Sequence, residues 1–188
     1  KMIISNRLNN YIEAVFSHPE SYPAFALWMG AFFFTIQLYC DFSGYSDIAI
    51  GIAYMYGVDT TENFKFPFLA HNIAEFWERW HISLSSWLRD YVYIPLGGNR
   101  VTVPRHLLNL LIVWFLTGLW HGASWNFVVW GLFYGVILIT EKYFTGKILA
   151  KLPGAVQTLY TMILVMLGWV LFFSPTLGLS LIHISEPT

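Results

Sequence analysis

Residues Leu116 to Tyr134 read LTGLWHGASWNFVVWGLFY. They place His121 inside a run, Leu107 to Thr140, that contains no Asp, Glu, Lys or Arg. A run of that length exceeds the roughly 20 apolar residues a helix needs to cross a bilayer. It reads as two spans, or as one span and a re-entrant piece, with the chain reversing near Gly118, Gly122 and Asn126. An imidazole in such a setting is costly unless it is partnered or used. Trp120 and Trp125 surround it with aromatic surface, and Gly122 lets a backbone or a substrate come close. A plain helix pair whose histidine bonds a neighbour is the competing reading.

Composition points the same way. Of 188 residues, 56% are hydrophobic and only 11% charged, with mean hydropathy +0.54. Soluble domains usually carry about 25% charged residues, so the expected class is an all-α, polytopic transmembrane helical protein. Nine tryptophans suit interfacial belts and a lined pocket. A net charge of −1 without a basic tract gives no reason to expect nucleic acid. The single cysteine, Cys40, excludes an intrachain disulfide and gives no basis for a zinc site.

Both ends look unlike native termini. The opening KMIISNRLNN has neither an initiator Met nor a signal-peptide pattern, so earlier spans are expected to be missing. Leu179 to Thr188, LSLIHISEPT, is the peptide obtained by translating a common transposase sequencing adapter. The expected division is a partial membrane domain, 1–178, and a non-native tail, 179–188. His183 and Glu186 accordingly carry no functional weight.

Four spans are expected near 22–40, 107–122, 124–140 and 155–173, enclosing a tilted or interfacial helix at 73–93. After the first span, Asp41 and Asp47 bracket Phe-Ser-Gly-Tyr-Ser. They either meet water at the membrane surface or face a cavity where the helix breaks near Gly44. Asn72 can cap the 73–93 helix, with Glu75 as the carboxylate half of a capping box. Trp77, Trp80, Leu84, Trp87 and Tyr91 fall on one face at spacings of three and four. Glu75 and Arg79 form an i,i+4 pair, His81 and Ser85 share another face, and Arg89 and Asp90 close the segment. Five formal charges on this helix do not suit contact with lipid. Arg79, Arg89 and Asp90 are expected to fix it by ion pairing, as Gly122 fixes the turn beside His121. Ile94-Pro-Leu-Gly-Gly-Asn-Arg100 then turns the chain, and its basic edge is expected to face the cytoplasm.

No G-x-S-x-G elbow, Walker A loop, dinucleotide fingerprint or H-E-x-x-H is present. Of the histidines, His81 and His121 lie in tryptophan-rich segments with other polar groups at helical spacing. A sheltered neutral imidazole can take a proton from a hydroxyl, and a second can hold substrate or stabilise developing charge.

Three stretches carry a resemblance: Phe76-Trp-Glu-Arg-Trp-His81 through Asp-Tyr-Val-Tyr-Ile-Pro-Leu-Gly-Gly-Asn-Arg100, Asp41-Phe-Ser-Gly-Tyr-Ser-Asp47, and Leu116-Thr-Gly-Leu-Trp-His-Gly-Ala-Ser-Trp125. Together they resemble the membrane-bound O-acyltransferase family, in its bacterial alginate O-acetyltransferase branch. The resemblance implies a multi-pass enzyme of the bacterial inner membrane that moves an acetyl group onto hydroxyls of an exported polysaccharide. Alginate, cellulose and peptidoglycan are acceptors of relatives, and D-alanyl transfer to teichoic acid is a more distant variant. The donor implied is acetyl-CoA or another acyl thioester, used as substrate, with no bound cofactor or metal. A periplasmic or membrane-associated acetylation partner is implied as well. The family's Trp-His-Gly histidine falls on His121, and its Arg-Trp-His histidine on His81; Glu78 stands where many members have arginine or asparagine. Trp120, Trp125, Asp41 and Ser85 are expected around the substrate. A non-catalytic export component, with His121 and Asp41 lining a conduit, and a structural scaffold are the alternatives.

Overall fold

The computed structural model describes residues 1–173, so the expected tail at 179–188 lies outside them. The described chain is helical, with one isolated bridge and two compact units, 1–63 and 64–172.

The first unit is a helical hairpin of α1, Met2–Ser17, and α2, Ala24–Met55. The order of contacts makes it antiparallel: Lys1 pairs with Asp47 at 2.6 Å, and Gln37 donates to Asn9 at 2.9 Å. At the closed end Val15 and Phe16 lie against Gly30. With 32 residues, α2 is about 48 Å long, well beyond the roughly 30 Å of hydrocarbon. It runs unbroken through Gly44, so the alternative of a helix break there is excluded. Asp41 and Asp47 instead lie exposed along it.

The second unit begins with α3, Ile73–Arg79, and α4, Ile82–Leu88, which passes into a wider π-turn at Arg89–Tyr93. Next come α5, Val103–His121, and α6, Trp125–Thr140, a second π-turn at Glu141–Thr145, α7, Gly146–Leu149, and α8, Gly154–Phe173. Among the described residues, four helical stretches are long and apolar enough to cross a membrane: Ala24–Met55, Val103–His121, Trp125–Leu149 and Gly154–Phe173. The uncharged run is therefore two spans reversing at Gly122–Ser124, and the re-entrant alternative falls away. The first and third spans extend further than the hydropathy pattern marks.

Glycine governs how closely α5 and α6 approach. A side chain at Gly118 would collide with the Phe127 carbonyl, and one at Gly131 with the Trp114 carbonyl. The two backbones touch at both places, as small residues permit between membrane helices. Beneath this contact the aromatic core collects. Trp77 lies 5.0 Å from Trp114 and 4.9 Å from Tyr134, ring to ring, and Trp130 stacks on Trp169 at 6.1 Å. Thr117 and Thr161 are buried but return their hydroxyls to the carbonyls of Val113 and Gln157, so neither needs an external partner.

Gly131→Leu should therefore force the two spans apart, where overpacking alone typically costs about 1–3 kcal/mol. The full-length variant is expected to leave less detergent-extractable folded protein than Val136→Leu, whose site is 54% exposed. Equal yields of the two variants would contradict the close backbone contact.

Candidate active site

The site is built from a helix that stops early. Asn72 caps α3, its side chain accepting from the Glu75 amide at 2.8 Å, and Glu75 returns to accept the His71 amide at 2.7 Å. Arg79 then pairs with Glu75 one turn on, as the spacing predicts. Ile73, Phe76, Trp77 and Trp80 are all buried, and Trp80 stacks on Phe76 at 5.6 Å.

The sequence predicts that this helix continues to Tyr93, and it does not. Trp80 is extended and His81 is left-handed at φ 49°, ψ 52°. The cause is tertiary: Lys65 donates to the Arg79 carbonyl at 2.9 Å in a bridge that sets Phe64 against Trp80. Left-handed backbone at a non-glycine residue is uncommon, and a surrounding structure must hold it there. The helix restarts as α4 with His81 at its N-cap, where the His81 carbonyl accepts from the Ser85 amide at 3.0 Å. The single face expected from Trp77 to Tyr91 is consequently split. Trp77 and Trp80 are buried, whereas Trp87 and Tyr91 are 54% and 70% exposed.

The break turns His81 towards the end of α5. Its ring lies 5.9 Å from that of Trp120, and the Trp120 ring lies 4.9 Å from His121. His121 is the last residue of α5. Trp130 and Phe172 meet its half-buried imidazole edge to face, at 4.9 and 5.3 Å. Among the described residues no hydrogen bond engages the His121 ring. Burial pulls the His81 imidazole down from its ordinary 6.5 to about 4, and the nearby His121 adds to the shift. Ser83 Oγ lies 3.5 Å from His81 Nδ1. Two histidines and one indole thus form an apolar-walled group. Among the described residues no cluster of three His, Cys, Asp or Glu could hold a metal ion.

The other candidates fall at various distances from this group. Trp120 is shared by both histidines, while Trp125 opens α6 with 73% of its surface exposed. Gly122 closes α5, with the Phe127 ring against the space a side chain would fill. Asp41 belongs to the other unit. Ser85 lines a separate cavity of about 790 Å³ together with Arg89, Tyr93, His106, Glu141 and Lys142; neither His81 nor His121 lines it. Arg89 and Asp90 pair at 2.8 Å but are 61% and 48% exposed. The expected ion pair is formed, but it is a surface one, screened by solvent.

Sequence reading missed His106 and Glu141. His106 is buried between two tyrosines, with Tyr93 Oη 2.8 Å from Nε2 and Tyr143 Oη 2.8 Å from Nδ1. Glu141 is buried against the amide of Ile73. A charge placed directly after an uncharged span was the available signal for Glu141.

A profile of the membrane-bound O-acyltransferase family matches residues 13–181. The chain belongs to that family. A probable alginate O-acetylase, AlgI, of Azotobacter vinelandii is 47% identical over 153 residues, covering 81% of this chain and 31% of the relative. A peptidoglycan O-acetyltransferase of Helicobacter pylori is 36% identical, covering 99% and 38%. A teichoic acid D-alanyltransferase of Bacillus subtilis is 34% identical, covering 59% and 30%. The chain spans about a third of the length of these O-acyltransferase relatives.

The burial of His81 has a measurable sign. Between 6.5 and about 4 an unfolded chain binds a proton that folded His81 refuses, so stability falls as pH drops through that window. In the full-length protein, labelled with [13C]histidine, the His81 ring should titrate near 4 and stay neutral at pH 7. A midpoint above 6 would contradict the burial described.

Proposed function

We propose that the full-length protein is an inner-membrane O-acetyltransferase that acts on hydroxyls of an exported polysaccharide. An alginate-like acceptor is the first choice, because alginate O-acetylases are relatives at 46–49% identity. The observation that carries the reading is the convergence of His81 and His121 on Trp120, from segments forty residues apart in a helix-break-helix and a span end.

Neutral His121 takes the proton of the acceptor hydroxyl, and that oxygen attacks the carbonyl carbon of an acyl thioester. The tetrahedral intermediate collapses with loss of thiolate, which recovers the proton from His121. Removing solvent around these groups strengthens each electrostatic contact and keeps water from competing as acceptor. His81, neutral at physiological pH, donates to or accepts from the acceptor or the developing oxyanion as its tautomer requires. The donor is acetyl-CoA or another acyl thioester, and a periplasmic or membrane-associated acetylation partner protein works with the enzyme. Direct attack leaves no acyl-enzyme, in keeping with the lack of a recognisable serine or cysteine nucleophile motif.

General-base catalysis contributes about 10²–10⁴-fold, and His121→Ala in the full-length protein should lose at least that much acetyl transfer at unchanged membrane level. His81→Ala should also lose activity, with a larger effect on acceptor KM. Wild-type turnover by His121→Ala would overturn the base assignment. A chemically competent labelled enzyme, trapped with donor alone, would overturn direct attack.

A further inference from the structure

We propose that Glu141 is the positioning residue for His81: anchored in the third span, it fixes the start of α3, and that short helix delivers its far end, the Trp80–His81 break, to His121. The inference rests on the reading that His81 and His121 act together.

The geometry begins with an inventory of donors. The first amides of a helix lack partners within it. In α3 the Glu75 amide is taken by the Asn72 side chain, and the Phe76 amide by the Asn72 carbonyl at 3.0 Å. The amides of Ile73 and Ala74 remain. Both carboxylate oxygens of Glu141 accept from Ile73, at 3.2 and 3.1 Å, and the Ala74 amide and the Tyr160 hydroxyl also reach this carboxylate. A carboxylate with only 7% of its surface exposed is tolerable in such a segment because hydrogen bonds replace its hydration. Three donors on this one carboxylate tie the third span to α3 and α8.

From that point α3 is a strut. From Ile73 to Arg79 it rises six residues, about 9 Å of helix, with extended Trp80 and left-handed His81 directly beyond. Its side is locked by Phe76, Trp77 and Trp80 against the aromatic core, with Trp77 5.7 Å from Trp130. Trp130 is also the ring that meets His121 edge to face at 4.9 Å. Sideways motion of α3 is thus blocked by aromatic packing, whereas position along its own axis depends on its two ends. The Lys65–Arg79 bridge holds one end, and Glu141 holds the other. A carboxylate that served only to tie spans together would not need to address α3's unpaired amides. His121 lies close enough to influence the protonation of His81, and a slip of α3 alters the spacing of that pair.

The test uses the full-length protein with Glu141→Gln and Glu141→Ala. Glutamine keeps one acceptor for Ile73, and alanine keeps none. Expected for Glu141→Ala is a His81 titration midpoint raised by at least one pH unit, with the kcat of acetyl transfer down about tenfold and donor KM near wild type. Glu141→Gln should move both readouts in the same direction by less. If alanine prevents accumulation, the glutamine variant decides. A wild-type His81 midpoint in the glutamine variant, or in a folded alanine variant, overturns the proposal. The His81 signal does not depend on turnover, so absence of acetyl transfer by the wild-type protein would overturn the functional reading and leave this test intact.

Discussion

The carbonyl of Arg79 accepts the Lys65 amide at 2.9 Å, and a continuous helix would have needed that carbonyl for the amide of Ser83. Once it is taken, Trp80 leaves the helix as an extended residue and His81 enters the left-handed region. The imidazole then leaves the face on which a 3.6-residue repeat would have put it, and meets Trp120. Strain in the backbone is held by the rings around it, since Trp80 is stacked on Phe76 and edge-on to Phe64 at 4.9 Å. A locally unfavourable backbone conformation is thereby held in place by its tertiary surroundings.

The spans were legible because bilayer crossing is written in composition and length. Leu107 to Thr140 could hold two crossings, and Gly122 marked their reversal. The cap at Asn72 and the Glu75–Arg79 pair were legible for a related reason: each depends on neighbours within one turn. The break at Trp80 was not, because the partner that causes it, Lys65, lies outside the helix and is known only once the chain has folded. Asp41 shows the same limit from the other side. Its motif is visible in the sequence, but α2 continues through Gly44 without the interruption that would have turned the carboxylates inward. The two histidines were found by setting; their shared indole could be found only in three dimensions.

Polar side chains within the apolar spans separate into two kinds. Thr117 and Thr161 satisfy themselves on their own helix, one turn back. Glu141 and His106 bind across elements and so act as joints. His106 has both ring nitrogens occupied by tyrosine hydroxyls, which leaves it nothing to offer a substrate. His121 shares its helix but meets mostly carbon. Hydrogen-bond occupancy, more than depth, distinguishes His106 from His121, the candidate base.

The π-turn at Glu141–Thr145 also changes how the third span is wound. There the Gly146 amide reaches back five residues to the Glu141 carbonyl, so the turn holds one residue more than its neighbours. Each α-helical residue advances the azimuth by about 100°. On an uninterrupted helix Val136 and Ile148 would point about 120° apart; discounting the extra residue leaves about 20°. Both are exposed, at 54% and 65%. One inserted residue therefore keeps a single outward stripe continuous past the buried carboxylate, and a helical wheel drawn across Glu141 without it would assign the last turn to the wrong side.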